Sequence, residues 1–102
     1  MRYNKLVRDK IPQIIQSTGG KAEIRRLSEE EYRVYLEKKL DEEVGEFHAD
    51  HTPEELADIL EVVYALAATV GCSREELMEI YRKKHQARGG FEKRLLLISS
   101  EV

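Results

Sequence analysis

Four acids in the middle of the chain, Glu43, Glu46, Glu55 and Asp58, lie in two runs whose spacing is helical. In the first run Leu36, Leu40, Val44 and Phe47 form one stripe when plotted at about 100° per residue, and Glu43 falls at its border, about 20° from its edge residue. A carboxylate therefore stands at a core position. Glu46 follows at i+3 on the same surface, while Glu42 is turned further towards solvent. The second run holds Glu55 and Asp58, again at i and i+3, and leads into residues 59–70, whose only ionisable groups are Glu61 and Tyr64. A helix apolar nearly all round reads as a buried helix. The connection over residues 48–52 is short enough to force an antiparallel hairpin, which brings the four acids together. Ionised carboxylates in a partly dry site repel one another and lose hydration, so the group calls for a cation. An all-oxygen donor set suits a hard divalent ion, Mg2+ or Mn2+.

Simpler readings exist for some members taken singly. Lys38 and Lys39 precede Glu42 and Glu43 by four residues, the spacing of ordinary surface pairs. Glu54 and Glu55 favour the positive end of a helix, and Glu55 can close a capping box with Thr52. Neither explanation accounts for Asp58, a poor helix former inside a helix, or for Glu43 on the apolar stripe.

The elements that must position these acids are marked by caps. Ser28 and Glu31 form a capping-box pair that predicts a helix to about His48. Thr52 with Pro53 at the first helical position predicts a second helix, continuing to about Val70 before Gly71. Ser73 and Glu76 open a third, with Leu77, Ile80, Tyr81 and Lys84 on one side and Gly89-Gly90 at its end. A short helix is expected from about Pro12, a turn at Gly19-Gly20, extended chain over residues 22–27, and a helical or extended tail over residues 91–98. The pattern is that of an all-α protein, a small helical bundle.

At 102 residues the chain is one domain, residues 1–102. With 41% hydrophobic and 36% charged residues it is expected to fold, with a heavily solvated exterior. The net charge of -3 argues against nucleic acid as a partner, because polyanion binders concentrate positive charge. No apolar run approaches the roughly 18 residues of a membrane span, and none follows Met1 as in a secretory signal, so a cytoplasmic protein without a membrane partner is expected. Cys72, the single cysteine, supports no internal disulfide, and stability must come from packing or from a homo-oligomer.

The motif E-E-x-x-E, here Glu42-Glu43-Val44-Gly45-Glu46, followed by E-x-x-D, here Glu55-Leu56-Ala57-Asp58, resembles the all-α nucleoside triphosphate pyrophosphohydrolases. That superfamily includes MazG-like proteins, dimeric dUTPases and phosphoribosyl-ATP pyrophosphohydrolases. The opening YNKLVRDKIP and the later K-x-x-x-R-G-G-F, with Lys84, Arg88 and Phe91, look like its small single-domain branch. The resemblance implies a helical bundle that completes its core and site as a dimer or tetramer. It further implies that Glu43, Glu46, Glu55 and Asp58 hold Mg2+ against the phosphates of a nucleotide. A tandem second domain like that of longer MazG proteins, with any regulation carried there, is not expected of a chain this short.

The reaction so implied is cleavage of a nucleoside triphosphate, standard or not, to the monophosphate and pyrophosphate, with house-cleaning of unwanted nucleotides as a cellular role. Glu42, Glu46 and Glu61 are the candidates to orient or deprotonate the water. Lys84 and Arg88, at i and i+4 on one face, are the leading phosphate contacts, followed by Arg8 and Lys10. The rivals are phosphoribosyl-ATP hydrolysis in histidine biosynthesis and a non-catalytic helical interaction module. His48, His51 and His85 read as surface groups near helix ends, Cys72 as a small half-buried residue, and Tyr32, Tyr35, Tyr64 and Tyr81 as core or interface.

Overall fold

Each long helix begins where a side-chain oxygen takes up an orphan backbone N–H. In the computed structural model, which describes residues 3–101, the helices are α1 (Ile11–Ser17), α2 (Glu29–Asp50), α3 (Pro53–Thr69) and α4 (Arg74–Arg88). The described residues contain no strand, and the protein is all-helical. At the start of α2 the Glu31 N–H donates to Ser28 Oγ at 3.2 Å and the Ser28 N–H donates to the Glu31 carboxylate at 3.0 Å. Arg25 adds a two-pronged contact to the same carboxylate. Together the Arg25 and Ser28 bonds hold the Glu31 pKa down at about 2. The same reciprocal box opens α4 at Ser73 and Glu76.

Helix α2 runs two residues past the expected end, to Asp50, and stops where His51 turns left-handed at φ 53° and its N–H donates to the Phe47 carbonyl. Only His51 and Thr52 then separate α2 from α3. Helix α3 closes with paired bonds from the Gly71 N–H to Ala68 and from the Cys72 N–H to Ala67, with Gly71 at φ 76°. That turn redirects the chain, so α4 leaves at 106° to α3. Residues 22–27 and 91–98 adopt neither helix nor strand, apart from a turn in which the Arg94 N–H donates to the Phe91 carbonyl.

Packing is concentrated between α2 and α3, with a smaller contact of α3 on α4. The buried residues described are Leu36, Val62 and Ala67, together with one charged group, Glu43. The expectation that α3 is buried nearly all round is corrected in part. Val62 and Ala67 are enclosed, but Leu60 is 48% and Val70 80% exposed, because no other element covers their side of the helix. No single helix is long and apolar enough to cross a membrane.

The resulting shape is open. Its extents are 60 × 32 × 22 Å and its radius of gyration is 17.9 Å, where a compact domain of this length has about 13 Å. The accessible surface is 9559 Å², against roughly 6,000 Å² for a compact monomer of this mass.

Candidate metal centre

The interface of α2 and α3 carries the acids. Oxygens of Glu43, Glu55 and Asp58 lie within 4.8 Å of one another, with Glu43 buried and the other two half-buried. Glu43 reaches this position because its helical phase places it beside the Leu36 stripe, in the seam between the helices. Glu55 and Asp58 sit one turn apart at the start of α3.

Thr52 settles how Glu55 is used. The Thr52 hydroxyl accepts from the Glu55 N–H at 3.4 Å, but the reciprocal bond from the Glu55 side chain, present at Ser28 and Ser73, is absent here. The Glu55 carboxylate is therefore not consumed by capping and turns to the cluster. Its Oε2 is buried without a hydrogen-bond partner, and so is Oε2 of Glu43. Buried carboxylate oxygens are rarely left in this condition, because the desolvation is uncompensated.

The neighbouring charges sharpen this picture. Burial pushes the Glu43 pKa up and the charges of Glu46 and Asp58 add to the rise, while Lys39, with Nζ 3.3 Å from Glu43 Oε1, opposes it. Desolvation also raises Glu55, followed by the charges of Glu46 and Asp50. Glu42 behaves differently. Its partial burial acts to raise its pKa, but Lys5 at 3.2 Å and Lys39 at 3.4 Å outweigh that and hold it below the usual carboxylate range. Asp58 accepts from Arg8 at 2.8 Å, and a second nitrogen of Arg8 stands 3.9 Å from Glu61.

The expected site residues thus divide. Glu43, Glu55 and Asp58 are brought together; Glu46 is exposed and outside that trio, near enough for its charge to act on Glu43 and Glu55. Glu42 and Glu61 border the cluster through Lys5 and Arg8. Lys10, Lys84 and Arg88 are exposed and form no ion pair among the described residues. Lys84 and Arg88 ride the last turns of α4, which continues from the end of α3 opposite Glu55 and Asp58. Lys39 and Asp50 were not among the expected site residues, although Lys39 was visible at i−4 from Glu43. Lys38 makes no pair with Glu42 and lies instead over the Tyr35 ring at 5.0 Å.

Such a donor set, carboxylate oxygens only, partly dehydrated and with two oxygens unpartnered, fits a hard divalent cation. A segment of 48 residues is 50% identical to an uncharacterized protein of Mycolicibacterium smegmatis, a match that spans 47% of this chain and 49% of that protein. No family model matches the chain. No solved structure matches it.

Proposed function

We propose that the protein is a Mg2+-dependent nucleotide pyrophosphohydrolase, with Mn2+ as a substitute ion, that splits a nucleoside triphosphate into the monophosphate and pyrophosphate. The observation that carries this reading is the pair of buried, unpartnered oxygens, Glu43 Oε2 and Glu55 Oε2, converging with Asp58. The motif resemblance supports the same reading. In it, α2 and α3 form an antiparallel hairpin and two chains associate, an arrangement supported by the large exposed surface.

A bound Mg2+ would supply Lewis acidity to the phosphate oxygens, held by Glu43, Glu55 and Asp58. Arg8, already on Asp58, is 52% exposed and has further N–H groups for a phosphate oxygen. A water oxygen bonds to phosphorus as the bond to the bridging oxygen breaks, and the electron pair departs on that oxygen. One water proton passes to a carboxylate. Glu46 is the best placed of the three candidates, because it is exposed beside Glu55 and has no ion-pair partner among the described residues. Glu42 is tied to Lys5 and Lys39, and Glu61 faces Arg8.

The test is incubation with Mg2+ and a panel of ribo-, deoxy- and modified triphosphates plus phosphoribosyl-ATP, with products resolved by phosphorus NMR. Monophosphate and pyrophosphate are expected. Selective turnover of phosphoribosyl-ATP moves the assignment to that substrate, and diphosphate with orthophosphate refutes the cleavage site. Absence of both turnover and Mg2+ binding favours a helical interaction module.

A further inference from the structure

The chain exposes an apolar groove and, separately, an apolar arm. The groove lies where α4 turns away from α3, is lined by Val63, Leu66, Val70 and Leu77, and has a volume of about 450 Å³. Arg33 and Glu37 of α2 form its rim, and neither makes an ion pair among the described residues. The arm is residues 91–98, beyond α4. Phe91, Leu95, Leu96, Leu97 and Ile98 are 81–97% exposed and the segment has no regular structure. Four consecutive large aliphatic residues in water are not a solvated tail; they are a surface that folding has left unburied.

We propose that the groove receives residues 91–98 of a second copy of this chain, the two copies exchanging arms about a two-fold axis. Area argues for a second copy. The chain exposes 9559 Å², roughly 3,500 Å² more than a compact monomer of this mass, well above the roughly 800 Å² per partner of a standard interface. Charge argues for the arm as the occupant. Within the arm Lys93 and Arg94, which outnumber Glu92, precede the aliphatic run of residues 95–98, and Glu101 follows it, counter-charges for Glu37 and Arg33 respectively. Geometry argues for exchange: α4 carries the root of the arm about 16 Å beyond Leu77, at 1.5 Å per residue, and within one chain the arm stays in solvent while the groove stays open. Reciprocal exchange fills both grooves and closes the assembly, where a one-way contact would propagate.

The proposal rests on the self-association in the reading above and not on catalysis. Sedimentation of the full chain is expected to give a dimer, and Leu96→Asp/Leu97→Asp is expected to weaken association at least tenfold with the helical circular dichroism unchanged, since neither side chain contributes to the fold of its own chain. Val70→Cys/Leu97→Cys in a Cys72→Ser background is expected to give a covalent dimer on oxidation. A wild-type dimer that survives the double Asp substitution and does not cross-link overturns the exchange and leaves the dimer standing. A cross-linked monomer overturns it by showing that the arm folds back on its own chain, and a wild-type monomer overturns both.

Discussion

Replacing Glu43 by Gln separates a metal ligand from a structural ion pair. Glu43 is 6% exposed, with Oε1 3.3 Å from Lys39 and Oε2 unpartnered. At an effective dielectric of about 20, attraction to Lys39 at 3.3 Å is roughly 5 kcal/mol, and repulsion from the Asp58 oxygen within 4.8 Å is at least roughly 3.5 kcal/mol. The two nearly offset, leaving at most roughly 1.5 kcal/mol in favour of the charged form. Removing a carboxylate from water costs several kcal/mol, and Glu46 adds repulsion, so ionised Glu43 is a net liability without metal. The upward direction of its pKa, caused first by burial, says the same. Glu43→Gln is therefore expected to stabilise the metal-free protein by about 1 kcal/mol, raising Tm by about 4–8 °C. With Mg2+ at ten times Kd the wild type should gain about 1.4 kcal/mol, or about 6–11 °C, and the variant nothing. Thermal melts followed by circular dichroism in EDTA and in Mg2+ measure both. A variant that melts lower in EDTA yet keeps the Mg2+ response would refute the reasoning.

Asp58→Asn is expected to abolish pyrophosphate release in the nucleotide assay while leaving the helical spectrum intact; joint loss of fold and activity would make Asp58 structural. Arg8→Ala should change stability by no more than about 1 kcal/mol, because its ion pair with Asp58 is solvent-exposed, but should raise KM about tenfold or more if Arg8 donates to phosphate. Leu36→Ala, at a 2% exposed position in a thin core, should lose about 2–5 kcal/mol in denaturant melts. For pH, the Glu31 carboxyl lies below its ordinary value of 4.5, at about 2, so its contribution is complete above pH 4.5 and is lost as pH falls towards 2. Glu31→Gln should flatten that acid limb in melts between pH 5 and 2.

The helices were legible because their starts depend on local chemistry. Ser28, Thr52 and Ser73 each accept the backbone N–H three residues on, and those bonds need nothing from the rest of the chain. The two further residues at the end of α2 were not legible, since His51 takes a left-handed conformation for which Gly or Asn is the usual signal. Exposure of Leu60 and Val70 was hidden for another reason. Periodicity reports which side of a helix is apolar, and it cannot report whether the chain has enough other elements to cover it.

The site was legible where helical phase decided it and illegible where long side chains did. Phase put Glu43 in the seam and Glu55 beside Asp58, whereas the Arg8 contact spans 50 residues of sequence and the Lys5 contact 37. Lys39 was visible as an i,i+4 partner of Glu43, but such pairs matter little on a surface and more in a seam. The counter-charges then show where compensation stops. Lys5 and Lys39 satisfy Glu42, Lys39 takes one oxygen of Glu43, and Arg8 takes Asp58 and approaches Glu61. No cation among the described residues reaches Glu43 Oε2 or Glu55, and Glu46 and Asp50 deepen the negative potential there. The uncompensated charge of the acid-rich helix pair is thus confined to one point between α2 and α3, which is the chemical case for the divalent ion proposed above.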